Sequence, residues 1–316
     1  FLNPIDNANI NHDETFFRIA AEFQKDDNSF HKIVCVLEKN SRKKITVNDK
    51  TIERFADHIG EFPIVIISPN DSEIVFSSDE RRKFIDSTIS QFNKTYLDNL
   101  INYNRALTQR NKLLKQIQSQ NLPTDLLEPY DKLLNDYAIP IHSERAKFLE
   151  DFIPYFREFY IEIAGNNEKV DLIFESDLIN ESLFSILQRK QNRDIALGHT
   201  ASGIHREDFS FSILNYPLKK FGSQGQQKSF LIALKLAKQK FMTHKKNMKP
   251  ILLIDDLHDK LDSTRVARLF NLLNNGLAEQ IIITDTQVER LKPLMNEIND
   301  LSVYFNIDQG NAKIIE

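Results

Sequence analysis

Phe221-Gly222-Ser223-Gln224-Gly225-Gln226-Gln227-Lys228 is a polar stretch that runs straight into the apolar segment 229–241. Further along, Pro250-Ile251-Leu252-Leu253-Ile254-Asp255-Asp256 sets four consecutive large aliphatics against two carboxylates. Such an aliphatic run reads as a strand buried on both faces. A carboxylate at its carboxyl end faces the crevice where open α/β sheets bind ligands. It is a hard oxygen donor suited to Mg²⁺ beside phosphates, and an adjacent carboxylate can orient or deprotonate a water. The polar stretch offers small residues and amides at a helix start, where unpaired backbone N–H groups and the helix dipole favour an anion. Each half also has a plainer reading. Ser223 serves as an ordinary helix cap, Asp255 as the cap of the next helix with Asp256 solvated, and Asp262 with Ser263 as a cap too. In this order, the two halves point to a nucleotide-binding head.

Around them the pattern alternates: helix 224–243, strand 250–255, helix 263–275, strand 280–285, helix 287–298 and strand 301–307. That rhythm predicts an α/β sheet. Upstream, 170–175 reads as a strand, 181–192 as a helix and 209–214 as a strand closed by the turn Asn215-Tyr216-Pro217.

The middle of the chain changes period. Ile85, Ile89, Phe92, Tyr96, Leu100, Tyr103, Leu107, Leu114 and Ile117 recur at three- and four-residue steps. They predict one helix over 84–118, about 50 Å long at 1.5 Å per residue. After Gln120–Pro129 a second helical pattern runs from Tyr130 to Ile163, with Pro140 and Pro154 inside it, where kinks or short breaks are expected. The pair forms a helical hairpin arm that leaves through Gly165-Asn166-Asn167. Before the arm, 16–23, 31–37 and 45–47 read as an antiparallel meander, 54–59 as a short helix, and 62–68 as a buried strand stopped by Pro69. The organisation expected is a discontinuous head, 1–78 with 166–316, and an inserted arm, 79–165.

The 316 residues are 41% hydrophobic and 27% charged, with a net charge of -4. This balance does not suggest a general polyanion binder, so nucleic-acid contact has to come from local patches. No apolar run approaches the roughly 20 residues that span a bilayer, and the start does not read as a signal peptide. The single cysteine, Cys35, makes no internal disulfide and no metal cluster, which fits a cytoplasmic setting.

Beyond these readings the chain resembles the ATP-binding-cassette heads of the SMC/RecN/RecF group of DNA-repair ATPases, and within it the RecF family nearly from end to end. The segments that carry the likeness are Phe62-Pro63 with Ser68-Pro69-Asn70-Asp71, the stretch Glu80–Asp86, Tyr103 with Gln109-Arg110-Asn111 and Leu113-Leu114-Lys115, Gly203-Ile204-His205-Arg206-Glu207-Asp208, the Phe221–Gln227 loop, Asp255–Asp262, and Ile283-Thr284-Asp285-Thr286. The resemblance implies a P-loop-type head with an antiparallel meander, acting as a slow, DNA-stimulated ATPase that dimerises on Mg-ATP. Asp255 would complete the Mg²⁺ shell and Asp256 would position water. Ser223, Gln224, Gly225 and Gln226 would form the signature motif, capping the partner subunit's nucleotide. Asp259 and Asp262 would sit in the loop at the dimer seam, with Thr284 and Thr286 sensing the γ-phosphate. The partners it implies are gapped or junction DNA, RecO, RecR and a second copy. The process it implies is recombinase loading, with links to replication restart and SOS induction. Two other readings are a short SMC- or Rad50-like tether, against which the arm's modest length and missing Cys-x-x-Cys hook argue, and a non-catalytic DNA-binding or assembly module.

The chain departs from the family pattern in places. Most cassette ATPases carry Glu where Asp256 stands. Phe76 and Ser78 replace a Gly and a Pro before the double arginine, and His258 and Ile204 are also uncommon. No GxxxxGK[ST] occurs in these 316 residues. The resemblance places that phosphate-binding loop upstream of Phe1, an expectation tested by reading the frame there. Without the loop, the 316 residues are expected neither to hydrolyse ATP nor to dimerise on it. Candidate contacts to the DNA backbone are Arg81 and Arg82, whose alternative reading is ion pairs at the arm's root, with Arg42, Lys43, Lys44, Arg110 and Arg206. His205 and Arg206 read as a polar site near the signature loop.

Overall fold

Alternating β-formers at the start of the chain pair as an antiparallel meander of β1 (Phe16–Gln24), β2 (Phe30–Glu38), β3 (Lys44–Val47) and β4 (Lys50–Thr51). Asn48 and Asp49 close the last hairpin with φ of 49° and 64°, the doubly left-handed turn whose twist suits flanking strands. The computed structural model describes residues 6–25, 27–256, 263–286 and 302–315. Contacts partition the chain into two compact units, Phe1–His58, which holds the meander, and Ile59–Glu316.

The second unit begins with β5 (Ile64–Ile67) and the single turn α1 (Glu73–Phe76), followed by α2 (Ser78–Ser90), α3 (Lys94–Gln120) and α4 (Glu128–Ala164). The long helix expected over 84–118 is therefore two helices. Asn93 takes an extended backbone, φ -125° and ψ 95°, and its side chain accepts from the Tyr96 N–H at 2.9 Å, so a new N-cap interrupts the ladder. Both helices bury apolar positions on one side, so the periodicity carried no trace of the break.

Helix α4 runs unbroken through both prolines. Pro140 and Pro154 lie on its exposed face, where water can satisfy the carbonyls their rings leave without a donor. Gly165, at φ 88°, ends the helix with its N–H on Ile161 O at 2.8 Å.

Next come β6 (Val170–Glu175), α5 (Leu183–Arg189), α6 (Gln191–Leu197), β7 (Asp208–Ile213), β8 (Tyr216–Pro217), α7 (Leu218–Phe221) and α8 (Gln224–Lys246). The single helix expected over 181–192 is thus two short ones that meet at Lys190, whose backbone (φ -95°, ψ 8°) leaves the helical region. Strands β6, β7 and β8 form an antiparallel sheet. The chain continues with β9 (Ile251–Asp255), α9 (Ser263–Asn274) and β10 (Ile281–Thr284), and β10, β9 and β5 form a parallel sheet in that order. The helix expected over 287–298 lies outside the described residues. The strand expected over 301–307 is instead β11 (Phe305–Asp308), paired antiparallel with β12 (Asn311–Ile314) and not with the parallel sheet.

Helix α8 is the centre of this unit. Phe230, Leu231, Ile232, Ala233, Leu234, Leu236, Ala237, Phe241 and Met242 are all buried, the all-round apolar surface of an interior helix. Phe148, Phe152 and Phe156 of α4 meet Phe230 and Phe241 of α8, with ring centroids 5.1 Å apart for Phe148–Phe241 and 4.6 Å for Phe156–Phe230. Such offset and edge contacts add to burial, so the second arm helix is cemented to the helix that starts at the polar loop.

One cation is caught in this core. Lys238 is 8% exposed, with its ammonium 5.5 Å from the Phe84 ring centroid. Burial, reinforced by the Lys235 charge, pushes its pKa down to about 7. The unfolded chain keeps this proton to near 10.5, so the folded form is least favoured below pH 7 and gains stability as pH rises through that window. Lys238→Met is expected to raise the melting temperature in mildly acidic buffer and to flatten the alkaline rise, as read by thermal melts across pH. An unchanged pH profile would contradict this.

Candidate functional site

The end of β9 and the start of α8 meet in one cleft. It has a volume of about 280 Å³ and is lined by Asp255, Asp256, Gln224, Gln227 and Lys228, with Ser68, Asp71, Val75 and Phe76 on the side that follows β5. Lys235 braces that side, donating to Asp71 Oδ1 at 2.6 Å and to Ile66 O at 2.9 Å.

Asp255 is the last residue of β9 and pairs in register with Thr284 of β10, whose hydroxyl donates to Asp255 Oδ1. The next residue, Asp256, turns the chain with φ 47°, and its N–H donates to Thr284 O at 3.1 Å. A left-handed backbone at a non-glycine residue is uncommon, and a short polar side chain tolerates it best. The second carboxylate is thus exposed at the mouth of the sheet.

The polar loop is a preformed cap. Ser223 Oγ accepts from Gln226 N at 3.2 Å, and Gln226 Oε1 accepts from Ser223 N at 2.8 Å. This reciprocal pair is a capping box, so the plain cap reading is realised in the geometry, and the Ser223 O–H proton is left to donate elsewhere. Gln226 Nε2 in turn donates to Glu168 Oε1 at 2.9 Å, and Glu168 also takes the Tyr160 hydroxyl of α4. A Cβ at Gly222 would lie 2.7 Å from Leu218 Cδ1 and 2.8 Å from its carbonyl oxygen; only glycine lets the chain pass there.

The cleft holds Asp255, Asp256 and Gln224, whereas Ser223, Gly225, Gln226, Thr284 and Thr286 are not among its lining. Ser223 and Thr286 are exposed. Asp259 and Asp262 lie outside the described residues. One cation escaped the sequence reading. Arg265 of α9 donates to Ser229 Oγ at 2.8 Å, and its Nη1 is the nearest atom, at 3.5 Å, to a Cβ built on Gly225. Its charge faces the Glu168 carboxylate at 3.8 Å beside the start of α8. No motif marks it, because its position depends on how α9 packs.

Several basic residues expected on a DNA track are engaged internally. Arg110 is a correction. Fully buried, it donates to Asp131 at 2.6 Å, Asp194 at 2.7 Å and Thr200 at 2.8 Å, so no phosphate reaches it. Arg81 clasps Asp208 with two bonds of 2.8 Å, and Arg82 binds Glu207 O at 2.6 Å and the Asp79 carboxylate. Both are therefore ion-paired at the arm's root. Lys43 pairs with Asp6 at 2.7 Å, while Arg42, Lys44 and Arg206 are exposed.

His205 corrects a second expectation. It does not line the cleft beside the polar loop but a separate one of about 220 Å³, with Asp79, Arg82, Tyr103 and Arg145. Its Nε2 donates to Thr200 O at 3.1 Å, which leaves Nδ1 to accept from the Tyr103 hydroxyl at 2.8 Å. Burial pushes this imidazole's pKa down to about 4, so the ring is neutral at physiological pH.

An open α/β sheet with paired carboxylates at a strand end, an anion-favouring helix start and a helical insertion matches the fold of ATP-binding-cassette-type heads. The Smc head domain of Pyrococcus furiosus superposes over 96% of this chain and 77% of its own length, with TM-score 0.53 at 16% identity, a likeness of fold. No family model matches the chain. DNA replication and repair protein RecF of Flavobacterium johnsoniae is 45% identical over 309 residues, 97% of this chain and 86% of the relative, and RecF of Bacteroides thetaiotaomicron is 38% identical over 98% and 83%. The solved structure of the recombination mediator protein RecF-ATP in the RecFOR pathway matches with TM-score 0.84 at 29% identity, over 97% of this chain and 82% of that one. The chain belongs to the RecF family.

Proposed function

We propose that this chain is the ATPase head and arm of a RecF-type recombination-repair factor, acting as an ATP-gated dimer on gapped or junction DNA together with RecO and RecR. The observation that carries the reading is the coexistence, in one chain, of a carboxylate-ended cleft and an exposed, preformed helix cap. The first suits a subunit's own nucleotide and the second a nucleotide held by another copy. The ATP named for the RecF structure supports the ligand.

The donor set fits the Mg-phosphate end of such a nucleotide. Among the described residues no group of three His, Cys, Asp or Glu side chains converges on a metal site. Asp255 and Asp256 line the cleft, and Mg²⁺ is commonly held by one or two carboxylates together with phosphate oxygens and waters. Asp255 would hold it, and the bound ion would offset charge on the phosphates. Asp256 would orient the attacking water. Ser223, Gly225 and Gln226 would act on the partner's nucleotide, Thr284 and Thr286 would sense the γ-phosphate, and Asp259 and Asp262 would sit at the dimer seam. The functional division is the head, 1–78 with 166–316, and the arm, 79–165, with DNA backbone contacts from Arg42, Lys43, Lys44 and Arg206. Among the described residues no helix is long and apolar enough to cross a membrane, and the proposed setting is cytoplasmic.

The 316 residues contain no GxxxxGK[ST], so by themselves they are proposed to be inactive, and the tests of function use a form of the chain carrying that loop. Light scattering is expected to show its mass doubling with Mg-ATP, and Ser223→Arg is expected to abolish the doubling while leaving the fold intact. A monomer at saturating ATP would sink the reading.

A further inference from the structure

The short helix α1 ends in carbonyls that its own turn cannot satisfy. Glu73 O takes the Ser77 N–H at 2.9 Å. The next three are met by cations from two other parts of the fold. Arg81 Nη1 donates to Ile74 O at 3.2 Å and Val75 O at 2.9 Å, and Lys219 Nζ donates to Phe76 O at 3.1 Å.

Arg81 is committed on both edges. Nε and Nη2 grip the two Asp208 oxygens, the guanidinium lies 5.5 Å from the Phe211 ring centroid, and the side chain is 11% exposed. The planar fork lets one side chain bind a carboxylate and two carbonyls together, which a lysine ammonium cannot reproduce. A surface salt bridge would need only the Asp208 half.

Position gives this clamp a consequence. Val75 and Phe76 of α1 are a wall of the cleft that holds Asp255, Asp256 and Gln224. Arg81 belongs to α2, where the arm begins. Asp208 opens β7, and the chain from there leads through β8 and α7, which carries Lys219, into Ser223.

We propose that Arg81 is a positioning residue of the nucleotide cleft: with Lys219 it seats α1 against the arm's root and the lead-in to the signature loop, and so sets the affinity for ATP. This rests on the reading of the cleft as an ATP site. A displaced wall weakens binding in the ground state, so the effect falls on KM more than on kcat.

The test measures ATP hydrolysis and thermal melting for the loop-bearing chain and for Arg81→Gln, Arg81→Lys and Lys219→Met. Both Arg81 variants are expected to raise KM for ATP about tenfold. Arg81→Lys should recover the melting temperature lost in Arg81→Gln, because its ammonium still pairs with Asp208, but should leave KM raised. Lys219→Met, an exposed position, is expected to raise KM about threefold with little change in melting, and it decides the matter if the Arg81 variants do not fold. KM values equal to the parent's in folded Arg81→Lys and Lys219→Met would overturn the proposal and leave the ATPase reading standing. A parent that neither binds nor hydrolyses ATP would overturn that reading itself.

Discussion

Replacing Arg145 by methionine is expected to cost the fold about 3–5 kcal/mol, the scale seen when one partner of a buried ion pair is removed. Arg145 is 1% exposed on α4. It donates to Asp86 at 2.8 and 2.9 Å from Nη2, to Glu207 Oε2 at 2.6 Å and to Ile204 O at 2.7 Å. Glu207 is fully buried and also accepts from Ser176 at 2.7 Å, with His142 Nδ1 at 2.6 Å. Burial alone would push the Glu207 carboxyl up, but the His142 bond, the Arg145 charge and the Ser176 bond together hold it below the usual range. Removing the guanidinium strands that carboxylate in the core. Denaturant unfolding measures the loss, and Glu207→Gln in the same background should return part of it, since no buried charge is then left over. A loss below about 1 kcal/mol, the scale of an exposed pair, would contradict the network's importance.

The second large effect is catalytic. Asp256→Asn in the loop-bearing chain is expected to lower hydrolysis by about 10²-fold or more, the scale of a general-base contribution, while ATP binding and dimerisation persist. The left-handed backbone at Asp256, φ 47°, makes asparagine a clean replacement, because it tolerates that conformation as well as aspartate does. Loss of activity would then report lost chemistry and not a shifted loop. Hydrolysis at the parent rate would remove Asp256 from the mechanism.

Strand readings succeeded wherever an aliphatic run had clear stops, although burial on both faces did not follow, since Ile66 and Ile282 are exposed. β5, β9 and β10 lie within the runs read at 62–68, 250–255 and 280–285. Helix boundaries were less legible, because a cap such as Asn93 interrupts the hydrogen-bond ladder without disturbing the apolar period. The cleft was legible in part. Asp255, Asp256 and Gln224 come from two motifs that sequence order already linked, whereas Arg265 approaches through tertiary packing. The basic residues were the least legible of all. Arg110 pairs with Asp131 and Asp194, which are 21 and 84 positions away, and Arg81 pairs with Asp208, 127 positions away. Nothing local separates such an arginine from a solvated one, and only the fold shows that its charge is already spent.

The two half-sites make the central claim directly testable by mixing. Asp256→Asn keeps the proposed cap and loses the proposed water-orienting carboxylate; Ser223→Ala does the reverse, without the bulk and charge by which Ser223→Arg blocks dimerisation. A mixed dimer of the two has one site in which the intact carboxylates of one subunit face the intact Ser223 cap of the other. ATP hydrolysis should therefore return on mixing two variants that are each inactive alone. If each variant folds and binds ATP and the mixture dimerises on ATP but stays as inactive as its components, the carboxylates and the cap do not serve one nucleotide across a dimer.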